Sequence, residues 1–245
     1  MKYHFRTPEL VPTLVMLLVV GLMFSLSFWQ FQRLQWKNAL LADIEAAQSQ
    51  PPKELAAYPV ESLNKAEWHN VTVTGTLLHD KELYATPRYY KEQLGYAVLT
   101  PLVFPTASGP RYALINRGWV PPEKKDPKTR MQGNSNGLVM VMGVIRNPMA
   151  QGAFRPDNNP GKNLWFWYDI KAMGKQVELP LLPVFIDATD VRPADGAAYT
   201  EGPLPFPLEI KIRNDHLGYA LTWLMIGLSG VIMFGIYYLE PKKST

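Results

Sequence analysis

"LVPTLVMLLVVGLMFSLSFW" (Leu10–Trp29) holds no charged residue, and neither does "LGYALTWLMIGLSGVIMFGIYYL" (Leu217–Leu239). A helix needs about 20 apolar residues to cross the hydrocarbon core of a bilayer. Both stretches reach that length, and neither shows the polar face of a helix packed on a soluble core. The first is also long for the apolar region of a cleaved signal peptide, about 7–15 residues. Ser25-Leu26-Ser27 only weakly imitates a cleavage site. The pattern predicts membrane spans over 10–32 and 217–239, enclosing a domain over 33–212.

The enclosed region reads mainly as strand. "VTVTGTL" (Val71–Leu77) alternates β-branched apolar residues with threonine at period two, the mark of a half-buried strand. "LYATP", "YAVLTPLVF", "RYALINRGWV", "GLVMVMGVIR", "PVFIDAT" and "LEIKI" follow, each bounded by Gly, Pro, Asn or Asp turn signals. Many short strands with little helix between them predict an antiparallel β sandwich or small barrel. Two helical pieces interrupt them. "RLQWKNALLADIEAAQ" (Arg33–Gln48) extends the first span into water, and "YDIKAMGKQ" (Tyr168–Gln176) offers Asp169 as its N-cap. The expected fold is membrane-anchored and β-rich, with two terminal transmembrane helices flanking the sandwich or barrel.

Composition excludes several functions. With no cysteine in 245 residues, disulfide staples, CxxC redox chemistry and a thiolate copper site are all ruled out. The net charge of +4 is scattered, and its densest patch, "EKKDPKTR" (Glu123–Arg130), is interrupted by acids and proline. That is a solvated loop rather than a nucleic-acid surface. Gly133-Asn134-Ser135-Asn136-Gly137 fits the G-x-S-x-G nucleophile elbow, but the elbow requires a strand turning into a helix. Here a charged loop precedes and a strand follows. The four histidines (His4, His69, His79, His216) show no i, i+4 pairing. Asp187 and Asp190 at a strand end read as turn formers. No catalytic constellation emerges, so the chain reads as a non-enzyme. Basic residues balance at the two ends of both spans, so the positive-inside rule leaves the orientation undecided.

Chemistry gathers instead at the membrane surface. Trp29, Arg33 and Lys37 recur every four residues and share a helix face, with Trp36 close by. Interfacial Trp and snorkelling Arg or Lys are routine anchors. On the second span His216, Tyr219, Ala220 and Trp223 follow i, i+3, i+4, i+7 and share another face. Gly21 with Ser25 and Gly218 with Thr222 form small-xxx-small pairs that would let the spans touch. Two readings of His216 stand: a polar cap, or a ligand, since neutral imidazole is a ready axial ligand for haem iron. In the second reading Arg33, Lys37 and Arg213 supply cations for propionates, Trp29 and Trp223 flank the site, and Ala220 leaves room beside the imidazole.

Seven segments between the two spans, in order, resemble the Surfeit-locus cytochrome c oxidase assembly proteins. They begin with "WQFQRLQWKNALL" (Trp29–Leu41), similar to that family's W-Q-x-x-R-x-x-W-K element. "VTVTGTLLHDKELYATPR" (Val71–Arg88), "INRGWVP" (Ile115–Pro121) and "GVIRNP" (Gly143–Pro148) follow. Then come "FRPDNNPGKNLWFWYDI" (Phe154–Ile170), "FIDA" (Phe185–Ala188) and "RNDHLGYALTW" (Arg213–Trp223). A glycine usual before the first tryptophan gives way to Ser27. The resemblance implies an assembly factor that assists haem a insertion into, or stabilisation of, the oxidase core subunit. Its partners would be that subunit, the membrane and the enzymes of haem a synthesis. His216 stands where some bacterial members carry a histidine thought to bind haem a. The alternative is a scaffold that binds the oxidase subunit and never contacts haem. The resemblance also implies that both termini are cytoplasmic and the central domain periplasmic. The lack of a visible mitochondrial presequence favours a member in the bacterial plasma membrane. Arg117-Gly118-Trp119 reads either as a packing corner with Gly at a bulge or as a partner contact, since Trp and Arg favour interface hot spots.

Overall fold

A computed structural model describes residues 3–133, 137–195, 202–206 and 214–241. In chain order the elements are β1 (Tyr3–Phe5), α1 (Leu10–Gln48), β2 (Lys53–Glu54), β3 (Asn70–Leu77), β4 (Leu83–Tyr90), β5 (Gln93–Phe104), β6 (Arg111–Val120), β7 (Leu138–Arg146), α2 (Ile170–Val177), β8 (Leu181–Pro193), α3 (His216–Tyr237) and β9 (Leu239–Pro241). Two compact units result, a helical one from both ends of the chain and a β-rich one over Ile44–Glu209.

In the helical unit, α1 tolerates Pro12 because it stands in the first turn, where a missing N–H breaks no helical bond. α3 has 22 residues, about 33 Å at 1.5 Å per residue, enough for a core of about 30 Å. Only 6% of the apolar stretch of α1 and 11% of that of α3 is buried, so both turn apolar surface outward, as lipid-facing spans do. This is a membrane protein by those two helices. The helices run antiparallel. Ser27 on α1 meets Ala220 on α3, Met23 and Phe24 meet Gly227, and Val20 meets Gly230. β1 pairs antiparallel with β9, Phe5 opposite Leu239, and Arg6 N–H donates to the Tyr238 carbonyl at 2.8 Å. Both chain ends therefore sit at one end of the helix pair.

The two small-residue pairs expected at the helix contact are not there. A Cβ on Gly21 or Gly218 would meet nothing within 4 Å. The hydroxyls of Ser25 and Thr222 bond back to the carbonyls of Gly21 and Gly218, each at 2.8 Å. Such back-bonding satisfies a hydroxyl within its own helix and leaves it no interhelix role. The close approach uses Gly227 instead, where a Cβ would lie 2.8 Å from the Phe24 ring.

The β-rich unit is one seven-stranded sheet in the order β2-β3-β7-β8-β6-β5-β4. A further pairing of β3 with β5, Thr76 opposite Val103 and Leu77 opposite Leu102, closes five strands into a small barrel. The sheet is mixed rather than wholly antiparallel, because β6 runs parallel to β8 and β2 parallel to β3. Alternate residues fill the interior: Val71 and Val73, Leu102 and Phe104, Ala113 and Ile115, Val139 and Val141, Val184 and Ile186. Their neighbours point outward, where Leu99, Leu114 and Phe185 pack against Trp165 and the apolar face of α2. Asp169 caps α2, accepting from Ala172 N–H at 3.0 Å.

Asp187 and Asp190 lie inside β8 rather than in a turn. Asp187 accepts from Asn116 Nδ2 at 2.7 Å and Arg146 Nη1 at 3.2 Å, and burial pushes its carboxyl above the usual range. Asp190 pairs with Arg192 at 2.5 Å. The "LEIKI" strand (208–212) and the centre of the G-x-S-x-G match (134–136) lie outside the described residues. A 3-10 turn over Pro127–Gly133 precedes that match and β7 follows it.

The helix pairing is open to a direct check, because the chain has no native cysteine. A Cβ on Gly227 would lie 3.4 Å from Met23 Cβ, near the roughly 3.5–4.5 Å that a disulfide spans. The double variant Met23→Cys, Gly227→Cys is expected to form an intramolecular disulfide on mild oxidation in membranes. Met23→Cys with Gly235→Cys is expected to form none, since a Cβ on Gly235 has no neighbour within 4 Å. Equal bonding in both pairs, read as a gel shift after a single engineered proteolytic cut, would refute the register.

Candidate functional site

His216 is the first residue of α3, with Asp215 at the N-cap position. The half-buried imidazole reaches across to α1, its Nδ1 2.7 Å from Gln30 Oε1. One turn further along α3, the Ala220 carbonyl accepts from Ser27 Oγ at 2.8 Å. Just before α3, Asn214 Nδ2 donates to Asn38 Oδ1 at 2.8 Å. Val20, Met23, Ser27, Gln30 and Asn38 thus form a seam down α1, polar towards the His216 end and apolar beyond it. Side chains three, four and seven apart stack on one helix face.

The flanks of that seam differ. At about 100° per residue, Lys37 and Arg33 fall on the same side of the α1 seam as Gln30. On α3, Trp223, seven residues on, falls on the side of His216. The opposite flank is an apolar groove of about 450 Å³, walled by Phe24, Phe28 and Phe31 on α1 and Leu217, Leu221 and Leu224 on α3. Polar and cationic groups thus collect on the histidine's flank, and lipid-like surface on the other.

Of the residues expected at the site, Arg33 holds its guanidinium 3.9 Å over the Trp36 ring. Trp29 lies further around α1 and is 54% exposed. Lys37 and Trp223 are half-buried, and Arg213 lies outside the described residues. The sequence reading did not single out Gln30, although a signal existed. It is an amide in an apolar run, three residues after Ser27, which places both towards the same neighbour.

The SURF1 family model matches residues 17–228. This chain belongs to the SURF1 family. It is 36% identical over 222 residues to a SURF1-like protein of Monosiga brevicollis, covering 86% of this chain and 81% of that protein. It is 34% identical over 220 residues to Surfeit locus protein 1 of Rattus norvegicus, covering 85% and 69%. Against Surfeit locus protein 1 of Homo sapiens the figures are 33% over 233 residues, covering 90% and 74%. These three relatives are eukaryotic. The SURF1 family is one of cytochrome c oxidase assembly factors, generally not enzymes.

Arg117-Gly118-Trp119 proves to be a packing corner of this SURF1-family chain. Arg117 is buried and donates from Nη1 to Glu82 Oε1 at 3.0 Å. Arg130, equally buried, clasps the same carboxylate with both terminal nitrogens. Tyr84 and Thr100 hydroxyls donate to it as well. Gly118 has φ +117, and a Cβ there would lie 2.0 Å from the Leu204 carbonyl oxygen. Only glycine admits both that torsion and that approach. The approach lets Trp119 and Leu204 exchange two backbone hydrogen bonds, of 2.7 and 2.8 Å. Trp119 is 4% exposed, and its Nε1 donates to the Arg88 carbonyl.

Burial pushes the Glu82 carboxyl up, but hydrogen bonds from His79 and Arg130 and the charges of Arg130 and Arg117 outweigh it and hold the group at about 2, against an ordinary 4.5. A carboxyl lowered on folding stabilises above its unfolded value and loses that contribution as pH falls towards the folded value. The β-rich unit of the full chain in detergent is expected to lose stability steeply between about pH 4.5 and 2 in urea titrations followed by tryptophan fluorescence. Glu82→Gln leaves two guanidinium groups buried without that charge. It is expected to cost about 3–5 kcal/mol at neutral pH and to flatten the acid-side slope. An unchanged slope would show that Glu82 does not carry it.

Proposed function

We propose that this SURF1-family chain assists haem a insertion into, or stabilisation of, the core subunit of cytochrome c oxidase, with His216 as an axial ligand. The observation that carries the reading is the state of the imidazole. Its Nδ1 is engaged by Gln30, while Nε2 has no hydrogen-bond partner among the described residues. A metal-binding histidine is commonly arranged this way, one nitrogen held and the other open. The flank of the α1 seam that carries Gln30 suits an amphipathic macrocycle. Arg33 and Lys37 supply cations for propionates, Trp223 an aromatic wall, and the surrounding lipid accepts an isoprenoid tail. Trp29 stands at the outer edge of that flank, and Arg213 is the third proposed cation. Haem, when bound, would supply an iron open to coordination by a neutral imidazole.

The proposed partners are the oxidase core subunit and the enzymes that supply haem a. The proposed location is the bacterial plasma membrane, with both termini cytoplasmic and the β-rich unit periplasmic. Pairing of β1 with β9 supports the common side of the termini.

Two measurements test this. The full chain is purified in mild detergent from a host that makes haem a, and its visible spectrum is compared with that of His216→Ala. The wild type is expected to carry haem with a histidine-ligated spectrum, and the variant to retain at least about tenfold less. Equal haem content and an identical spectrum would remove His216 as the ligand. A wild type without haem would leave the scaffold reading in its place. A reporter that is active only in the periplasm, inserted at the exposed turn by Gly109, is expected to be active. Activity of a cytoplasm-only reporter there would reverse the orientation.

A further inference from the structure

We infer that Gln30 is a positioning residue for His216, fixing the imidazole as the Nδ1–H tautomer so that Nε2 keeps its lone pair unprotonated. The inference rests on the proposed ligand role of His216 and adds the residue that sets its chemistry. The geometry is short and cross-helical: Gln30 Oε1 lies 2.7 Å from Nδ1, and the two residues are 186 positions apart in the chain. A neutral imidazole carries one proton on one of two nitrogens, and the partner of one nitrogen decides the state of the other. A carbonyl oxygen can only accept, so the proton must reside on Nδ1. If the amide NH2 faced the ring instead, Nδ1 would accept and Nε2 would carry the proton, which closes it to a metal. The orientation of one amide therefore switches the site between ligand-competent and ligand-incompetent.

The seam supports a fixed amide. Gln30 stands between Ser27, tied to the Ala220 carbonyl, and Asn38, tied to Asn214. These two cross-links bracket the Gln30–His216 pair along the helices and hold their spacing. Choice of an amide over a carboxylate also has a chemical consequence. A carboxylate on Nδ1–H raises imidazole basicity and tightens axial ligation, whereas an amide carbonyl orients the ring with less electron donation. An assembly factor must release what it holds, and a neutral acceptor suits a ligand that lets go. An amide is also cheaper than a charge at the mouth of a membrane helix.

The first test needs no haem. With ¹⁵N-labelled histidine, the ligand-free full chain in detergent nanodiscs above pH 8 is expected to show His216, assigned by its loss in His216→Ala, with Nδ1 protonated and Nε2 unprotonated. Gln30→Leu is expected to shift the signal towards the Nε2-protonated form that free imidazole side chains favour. A wild-type His216 protonated on Nε2, or a tautomer unmoved by Gln30→Leu, overturns the inference whatever the haem result.

The second test reads haem a. Gln30→Leu is expected to weaken binding by about 10–100-fold while keeping the histidine-ligated spectrum. Gln30→Glu is expected to slow haem release and lower the midpoint potential. Affinity, release rate and potential equal to wild type in both variants would refute the positioning role. Cross-linking of Met23→Cys with Gly227→Cys in each background shows that the helix pair still forms, so a loss cannot be charged to misfolding. If instead wild type and His216→Ala bind haem alike, the ligand reading fails, and the tautomer measurement still decides what Gln30 does.

Discussion

Glu82 is buried between two guanidinium groups, and four stretches of the β-rich unit converge on its carboxylate. Arg117 comes from β6, Arg130 from the 3-10 turn after it, Thr100 from β5 and Tyr84 from β4, the strand Glu82 itself precedes. A charge so placed stabilises only when every lone pair is answered, and here both oxygens are. The cluster has a consequence for the chain beside it. With Arg117 pinned inward, Gly118 takes a left-handed torsion and Trp119 turns into the core. Leu204 then closes onto the corner. The bulge between Val98 and Leu99, opposite Gly118, is the same event seen from β5. A surface loop and the last described segment before α3 are thus anchored to one ionic point inside the barrel wall.

The helical unit answers a different constraint. In a bilayer, polar side chains must find partners in their own or a neighbouring helix. Each polar group of the α1 seam does so. Ser27 uses a backbone carbonyl of α3, Gln30 uses His216, and Asn38 uses Asn214. Below Ser27 the seam turns apolar and the contact tightens onto Gly227, whose missing side chain admits the Phe24 ring. Helix association here combines close packing at depth with hydrogen bonds near the mouth. Each such bond is worth about 0.6 to 2 kcal/mol in membranes. A pair like Gln30–His216 would serve that purpose alone, but it also leaves one imidazole nitrogen unspent.

Much of this was legible in the sequence because the signals are local. Period-two alternation marked β3, flanking turn signals bounded β6 and β7, and Asp169 offered the N-cap of α2. The spans followed from uninterrupted apolar length. The parallel pairing of β6 with β8 was not legible, since β8 enters between β6 and β7 only after α2 and nothing within "PVFIDAT" encodes its neighbour. Asp187 looked like a turn former because Asp usually is. In this chain a strand position beside Asn116 and Arg146 provides the partners that burial demands. The small-residue pairs misled for a related reason. Glycine in a membrane helix signals close approach only on the face that meets a partner, and a single sequence does not show which face that is. His216 was conspicuous as an imidazole opening an uncharged apolar run. Gln30 was less so: its spacing from Ser27 put both towards one neighbour, but that neighbour emerges only once the facing helix is placed.

The pairing of β1 with β9 bears on what the histidine can do. It puts both chain ends at one end of the helix pair, and His216, as the first residue of α3, lies at the other. Balanced basic residues cannot choose a side of the membrane, but antiparallel helices with paired ends allow only two topologies, and both keep the termini together. In either one the imidazole, standing where the apolar run begins, would lie at a water–lipid boundary rather than at mid-bilayer. There a neutral ring would take up and release the proposed ligand without stranding a charge in hydrocarbon. Cations on the same flank and lipid beside it give that boundary two unlike surfaces. A molecule with acidic groups at one edge and a hydrocarbon tail at the other can satisfy both only in one orientation. Orientation at the mouth of α3 is what a handover to a neighbouring membrane subunit would require, and the Gln30–His216 bond is the element of the helix pair that would set it.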